Sequence, residues 1–404
     1  MRKQKSNVVA ILDIGSSKII CLIAKIWGRD RYEVIGVSHK ASVCMRAGVI
    51  SDMQAMEKTI QQAVYEAEAI ARERISGYYI SISPNCLLSR RTSSRVSVAG
   101  HEITYKDINK ILFDVLEQYK KQNLEVVHSF PYEYTIDGNG GVTTPLGMYG
   151  DELLCNMHII SGTSNNLLNL ARCLSKCTNN IDGYIASTYA AGLASLTDDE
   201  MNVGVTMLEF GAGTTSISMF EHGQMIYTDA IPIGGLHITN DIARCLCTST
   251  MNAERIKNLY GGVVSTDSDV HEIIEVLLSD ENDITNISRE LLIDIIRARI
   301  EELIEMIISK VEESDVQPPR KVVIAGGGAR LSGLKELLSH VLNTRVRVAY
   351  SIKDIPGLEE NNLEFATAAG MLLHIAQNHK STGSMGGESM LRKVWQAFHR
   401  HFTT

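Results

Sequence analysis

The sequence LDIGSSK spans residues 12–18, and the closely similar sequence LEFGAGTT spans residues 208–215. Each follows an apolar run and leads into another, in the order strand, acidic residue, tight glycine turn, strand. Glycines let backbone N–H groups approach a phosphate closely, and the hydroxyl groups and Lys18 add donors. The duplication therefore predicts two similar phosphate-binding loops, about half a chain apart.

An acidic residue ends the first strand of each pair, Asp13 in one and Glu209 in the other. Carboxylates at these positions can hold Mg²⁺ directly or through bound water, so both residues are candidate metal ligands. The simpler interpretation of Asp13 is a carboxylate that caps the turn. Lys18 has a similar alternative, because a lysine in a strand often only faces solvent.

Two further glycine motifs follow the duplicated loops. VVIAGGGA at residues 322–329 ends a later strand and precedes a helix, and Gly234-Gly235 separates another strand from a helix. One glycine turn after a strand is usually only a turn, but this series predicts a nucleotide held between two similar lobes. The cofactor-binding residues expected from these motifs are Asp13, Gly15, Ser16, Ser17, Lys18, Glu209, Gly211, Gly213, Thr214, Thr215, Gly234, Gly235, Gly326, Gly327, Gly328 and Ala329.

The composition is that of a globular protein. The chain has 404 residues, 44% of them hydrophobic, which favours two lobes over one. Its formal net charge of −8 argues against a protein that mainly binds nucleic acid. The first apolar run is too short for a signal peptide, so we expect a cytoplasmic protein. The eight cysteines and twelve histidines lack zinc or catalytic spacing, and free thiols are the expectation.

The order of motifs and apolar patterns predicts a division into several parts. The first lobe comprises residues 1–83 and 162–200, and residues 84–161, which carry no phosphate motif, form an inserted subdomain. The second lobe comprises residues 201–251 and 320–380, and residues 252–319 form a polar, largely helical subdomain within it. Residues 381–387 are a glycine-rich linker, and residues 388–404 form a terminal amphipathic helix.

This order resembles the actin/Hsp70/sugar-kinase superfamily, and within it the FtsA family of bacterial cell division proteins. The specific features are HSFPYEY at residues 128–134 and NGGVTTPLG at residues 139–147 in the insertion, the segment 186–195, DIA at residues 241–243, and the tail. The resemblance covers nearly the whole chain. It implies an α/β, actin-like two-lobed ATPase fold, with a small α+β subdomain inserted in the first lobe and a C-terminal amphipathic helix.

The resemblance also implies ligands and partners. ATP with Mg²⁺ would bind between the lobes, with Glu254 and Lys257 as the family's Glu-x-x-Lys on the ribose, although such a pair is common on any exposed helix. The FtsZ C-terminal tail would dock on residues 252–319, where Lys257, Arg297 and Arg299 could supply charge. Self-association into filaments and recruitment of later divisome membrane proteins would follow, at the division site on the cytoplasmic face of the inner membrane.

The terminal helix has an apolar stripe beside basic residues, a pattern typical of helices that lie on an anionic membrane. The alternative is a helix that docks its apolar face on the parent domain. The stripe consists of Leu391, Val394, Trp395, Phe398 and Phe402, and the basic residues are Arg392, Lys393 and Arg400.

Two departures from the family pattern predict slow ATP turnover. Glu209 replaces the usual Asp, and a shift of about 1 Å in a reacting group can cost on the order of 10²-fold in rate. The segment 185–196 contains no Asp, Glu, Asn or Gln to position a water molecule. A sugar kinase, the chief alternative, would need such an acidic base. An MreB-like filament protein would lack the insertion, and an Hsp70-like protein would need a larger C-terminal domain.

Overall fold

The computed structural model describes residues 7–42, 44–177, 180–278, 283–349, 352–358 and 363–379. The first part of the chain forms three antiparallel strands, a small hairpin, a helix and a further strand. These elements are β1 (Asn7–Ile14), β2 (Lys18–Gly28), β3 (Arg31–Ala41), β4 (Met45–Arg46), β5 (Val49–Ile50), α1 (Met53–Ala71) and β6 (Tyr78–Ile82). Helix α1 begins where the Asp52 carboxylate accepts the N–H groups of Gln54 and Ala55, both at 3.0 Å.

The inserted part forms its own sheet, with strand order β7-β10-β8-β9, and its own core against α2. Its elements are β7 (Leu87–Ser97), α2 (Tyr105–Lys121), β8 (Leu124–Ile136), β9 (Asn139–Val142) and β10 (Glu152–Thr163). These strands extend well beyond the mainly apolar segments at residues 96–99, 125–127 and 156–160. Apolar runs mark only their buried parts, whereas most of β7 carries exposed polar residues.

The chain then returns to the first sheet and crosses to the second lobe. The elements of this segment are α3 (Ser164–Leu174), β11 (Ile181–Ala186), α4 (Ser187–Ser195) and α5 (Asp198–Val203). Strand β11 completes the first sheet, whose order is β11-β6-β1-β2-β3. Helix α4 makes up most of the segment 185–196, which lacks acidic and amide residues. Its Thr188 hydroxyl lies 3.1 Å from that of Thr228.

The second lobe repeats the first sheet strand for strand. Its sheet has the order β18-β17-β12-β13-β14, with three antiparallel strands followed by two parallel neighbours, as in the first sheet. This repeat confirms the two-lobed α/β fold class. The elements are β12 (Val205–Phe210), β13 (Thr215–Glu221), β14 (Gln224–Ile231), α6 (Gly235–Cys245), α7 (Thr250–Tyr260), β15 (Ile273–Leu277), β16 (Ile284–Ser288), α8 (Arg289–Glu312), β17 (Lys321–Ala325), α9 (Leu334–Val341), β18 (Arg345–Val348) and α10 (Ala366–Gln377).

Two features of this half differ from the predictions that residues 252–319 are largely helical and that residues 320–380 belong to the second lobe. The β15–β16 hairpin interrupts the segment expected to be largely helical. Helix α10 packs on α4 and on the first sheet rather than on the second. The packing is close at Gly370, where a Cβ atom would overlap the carbonyl oxygen of Ala190.

Candidate functional site

The two glycine loops face each other where the lobes meet. A Cβ atom at Gly213 would lie 2.7 Å from the Cβ of Ser16 and 3.3 Å from the backbone N of Ala47. Real Cβ atoms do not approach other atoms so closely, so only glycine fits at residue 213. The structure therefore brings the first and second loops into direct contact.

Each loop is closed by the same backbone hydrogen bond. Gly15 N donates to Lys18 O at 2.9 Å in the first loop, and Gly211 N donates to Thr214 O at 2.9 Å in the second. The residues between donor and acceptor therefore occupy equivalent turns. The duplication read from the sequence extends to the geometry of these turns.

The other two glycine motifs pack on the second loop. Gly235 N donates to Gly211 O at 2.9 Å, which sets the start of α6 against this loop. Gly326 has a φ of +84°, and a Cβ there would lie 2.8 Å from the carbonyl carbon of Phe210. At Gly327 a Cβ would meet nothing within 4 Å. The structure thus brings the four predicted glycine motifs together at the boundary between the lobes.

The carboxylates of Asp13 and Glu209 interact electrostatically at this boundary. Burial is the main cause that raises the pKa of Glu209 to about 7, and the charge of Asp13 raises it further while Lys18 opposes the shift. Burial also raises the pKa of Asp13, against the effects of a hydrogen bond from Ser81 and the Lys18 charge. Ser81 Oγ lies 2.8 Å from Asp13 Oδ1. Two carboxylates with so little compensating charge favour a bound cation.

The donor set fits Mg²⁺. Carboxylate oxygens are hard donors, and Mg²⁺ is usually held by one or two of them together with water and phosphate oxygens. Among the described residues, no group of three or more His, Cys, Asp or Glu side chains could hold a metal by itself. The pair is therefore suited to an ion that arrives with a phosphate ligand.

Lys18 does not simply face solvent. Its Nζ donates to Glu364 Oε2 at 3.1 Å, with the lysine side chain 29% exposed. Glu364 lies in the short 3₁₀ turn Leu363–Phe365 that precedes α10. Sequence reasoning missed Glu364, since no local pattern links it to a lysine 346 residues away.

Glu254 and Lys257 of α7 also lie at this site. Lys257 Nζ donates to Glu254 Oε2 at 2.6 Å, to Thr239 Oγ1 at 2.8 Å and to Gly235 O at 3.1 Å. The lysine side chain is only 10% exposed. The pair is thus not a simple surface pair, because it ties α7 to the first turn of α6. Thr239, the hydroxyl shared by both charged groups, was missed by sequence reasoning.

The arginines expected to meet a partner make contacts within their own lobe. Arg299 donates to Asp241 at 2.6 and 3.0 Å and also pairs with Glu302. Arg297 donates to Val263 O at 2.8 Å and to the hydroxyl of Ser265 at 3.2 Å. These contacts join α8 to α6 and to the loop after α7, so both arginines serve the fold of the subdomain.

The predicted membrane-contact residues lie outside the described part of the chain. They are Leu391, Arg392, Lys393, Val394, Trp395, Phe398, Arg400 and Phe402. Within the described residues, no helix has the length and apolar character needed to cross a bilayer.

Two family models match the chain. Residues 206–370 match the model "Cell division protein FtsA", and residues 86–161 match "SHS2 domain inserted in FTSA". The cell division protein FtsA of Agrobacterium fabrum is 33% identical over 391 residues, which cover 93% of this chain and 88% of that protein. The FtsA of Escherichia coli K12 is 26% identical over 398 residues, which cover 96% and 93%.

Solved structures with the same fold are more distant in sequence. The PilM–PilN type IV pilus biogenesis complex matches with a TM-score of 0.64 at 17% identity, covering 92% of this chain and 99% of the matched chain. MreB5 of Spiroplasma citri bound to ADP matches with a TM-score of 0.57 at 12% identity, covering 92% and 98%. At such identities these matches show an actin-like fold and nothing more specific.

Proposed function

The chain belongs to the FtsA family of cell division proteins, and on this premise we propose that it is an ATP-binding adaptor of the division site. In this proposal it binds ATP with Mg²⁺ between its lobes and assembles into filaments. It anchors FtsZ filaments to the cytoplasmic face of the inner membrane through its C-terminal helix, and it recruits later divisome membrane proteins. The nucleotide acts as a structural or switching ligand, because we expect its turnover to be slow.

The observation that supports nucleotide binding is the contact between two equivalent glycine loops, each of which follows a strand with a carboxylate next to its end. The N–H groups of Gly15, Ser16, Gly211 and Gly213 are candidates to hold phosphate oxygens. Asp13 and Glu209 would hold Mg²⁺ through its bound water, and this ion would neutralise phosphate charge. The residues of the two other motifs would enclose the nucleoside: Gly234, Gly235, Glu254 and Lys257 on one side, and Gly326, Gly327, Gly328 and Ala329 on the other.

Thermal unfolding tests the site directly. Millimolar ATP-Mg²⁺ should raise the melting temperature of the purified protein, because a ligand that binds only the folded state stabilises it by mass action. Gly213→Val should abolish this rise, since its side chain would occupy the space of Ser16. Gly28→Val makes the same change at the end of β2, where a Cβ atom would meet nothing within 4 Å, and is the control. An unchanged melting temperature in the wild type would refute the site, and turnover above about 1 per second would favour the kinase alternative.

The proposed surface for the FtsZ tail is the outer face of the β15–β16 hairpin. Ile273, Leu277 and Ile284 are exposed by 60%, 39% and 62%, while Ile274 and Val276 of the same hairpin are buried. The pairing of Leu277 with Ile284 sets two of these side chains side by side. Exposed apolar residues this close together are typical of a protein interaction site. The apolar part of the tail, rather than its charge, would then contribute most of the contact.

Co-sedimentation with FtsZ filaments tests this surface. The double variant Ile273→Glu/Ile284→Glu should lose most of its co-sedimentation while keeping its ATP-induced thermal shift. Ile70→Glu is the matched control, because Ile70 of α1 is also an exposed isoleucine, at 59%, but lies in the first lobe. Undiminished binding by the double variant would place the docking surface elsewhere. Arg297 and Arg299 are unsuitable for this test, since replacing them would also disturb the subdomain itself.

A further inference from the structure

A salt bridge joins the first phosphate loop to the beginning of the last described helix. Lys18 is the first residue of β2, directly after the loop, and its ammonium group pairs with Glu364 at 3.1 Å. Glu364 lies two residues before the start of α10. The same ammonium group is the one that the loop would offer to a phosphate. A bound phosphate and Glu364 would therefore need the same cation.

The surroundings of Glu364 are positively charged. The pKa of this carboxyl is lowered first by the hydrogen bond from Lys18 and then by the Lys18 charge, with smaller effects from Arg330 and His39. Arg330 ends the 3₁₀ turn Gly327–Arg330 of the third glycine motif, in the other lobe. The Glu364 carboxylate thus lies near cationic side chains of both lobes, Lys18 of the first and Arg330 of the second.

We propose that Glu364 is a positioning residue, which competes with the phosphates of a nucleotide for Lys18 and so weakens their binding. This inference rests on the proposed function, because it assumes that the nucleotide binds at the glycine loops between the lobes. The exchange is feasible because the side chains of Lys18 and Glu364 are 29% and 57% exposed. Ion pairs this exposed change an equilibrium by about fivefold or less.

The test compares ATP-Mg²⁺ affinities by isothermal titration calorimetry. Glu364→Gln should bind about two- to fivefold more tightly than the wild type, because Lys18 is released from its carboxylate partner and becomes available to the phosphates. Glu364→Asp keeps the charge and should return the affinity toward the wild-type value. In a Lys18→Met background, Glu364→Gln should have an effect of less than about twofold.

A matched control lies on the same strand. Lys25 of β2 pairs with Glu73 at 3.3 Å, and its side chain is 31% exposed, close to the 29% of Lys18. Glu73→Gln removes a negative charge from the partner of a β2 lysine, as Glu364→Gln does, but at a distance from the glycine loops. It should therefore leave the ATP affinity unchanged.

The outcomes separate the inference from the proposed function. If the wild type binds ATP and Glu364→Gln binds it equally or more weakly, the competition is refuted while the nucleotide site stands. A gain that persists in the Lys18→Met background would assign the effect to general charge and would also refute the competition. If neither the wild type nor Glu364→Gln binds ATP, the site itself is refuted and the inference falls with it.

Discussion

At the scale of single residues, a buried carboxylate fastens the crossing between the two lobes. The Glu200 side chain of α5 is 5% exposed and pairs with Lys321 of β17 at 2.7 Å and with Arg347 of β18. Burial acts to raise the pKa of Glu200, but the hydrogen bonds from Arg347 and Lys321 lower it to about 2. The ionised form is therefore the one that the fold requires.

Glu200→Gln should lower the free energy of unfolding by about 1–3 kcal/mol, because two cations lose the charge that they share. The folded-state pKa of Glu200 lies below its ordinary value of 4.5, so the stability that it contributes is complete above pH 4.5. This contribution disappears as the pH falls toward 2. Urea unfolding at neutral pH measures the loss. Glu66→Gln, which breaks the exposed pair of Glu66 with Lys40, is the control and should change stability by less than about 0.5 kcal/mol.

Site residues could be predicted where the signal is local. A glycine turn directly after a strand and an acidic residue identifies both Asp13 and Gly213 as site candidates, and the structure brings their loops together. Ser81 and Glu364 could not be found in this way, because each reaches the site from an element distant in sequence. Thr239 lies in the helix that begins at the predicted Gly235, but a threonine inside a helix carries no motif of its own. Single hydroxyl and carboxyl side chains of this kind form no motif or periodic pattern that a single sequence would show.

At the scale of elements, a hydrogen-bonded histidine docks the inserted sheet on the second lobe. His158 of β10 donates from Nδ1 to the carbonyl oxygen of Met225 in β14 at 2.8 Å. Because that nitrogen carries the proton, Nε2 accepts from the hydroxyl of Ser89 in β7 at 2.7 Å. Ser89 Oγ in turn accepts the N–H of Thr228 at 3.2 Å. The neutral imidazole thus connects three strands from two sheets.

This contact predicts that the protein loses stability in mild acid. Burial lowers the pKa of His158 to about 4, so the unfolded chain binds more protons than the folded one between about pH 6.5 and 4. Stability should decrease as the pH is lowered through this window, by up to about 1.4 kcal/mol per pH unit for this histidine. His158→Gln should reduce that slope in urea unfolding at several pH values, and His271→Gln, at an exposed histidine, is the control. An unchanged slope would contradict the assignment.

Elements can be predicted from the sequence where apolar residues mark one face only. Helix α1 (Met53–Ala71) is such a case, because its buried residues recur with helical spacing. The β15–β16 hairpin was missed, since both of its faces carry apolar residues and its surroundings are acidic and polar. Strand β7 has a clear apolar pattern only near its end, because exposed serines and arginines occupy most of its length.

At the scale of the whole molecule, the repeated sheet sets the position of the proposed nucleotide site. Two sheets with the same strand order place equivalent loops at the boundary of the lobes, and this arrangement followed from the repeated motif in the sequence. The position of the inserted sheet against β14 did not follow from it, because that contact depends on hydrogen bonds between distant strands. The expected C-terminal anchor lies outside the described residues and stays a prediction.

The binding free energy of the expected membrane helix can be estimated from its parts. Full burial of its five apolar side chains would contribute about 7–15 kcal/mol, but burial at a membrane surface is only partial. Ordering the helix costs about 1 kcal/mol per residue. Each Lys or Arg near an anionic leaflet adds about 1 kcal/mol. A single copy should therefore bind weakly, and a filament with many tails should bind firmly through avidity.

Deleting residues 388–404, or replacing Trp395 or Phe398 by Glu, should abolish binding to anionic vesicles and leave the melting temperature unchanged. The physical reason is that we expect a glycine-rich linker to keep the tail independent of the lobes, while a charge on the apolar stripe would oppose insertion. Phe402→Leu, which keeps the stripe apolar, should retain binding. A helix docked on the parent domain predicts the reverse, a lower melting temperature with unaltered vesicle binding. Measuring vesicle flotation and thermal unfolding on the same truncated protein decides between the two, and a loss of stability without a loss of flotation would refute the anchor.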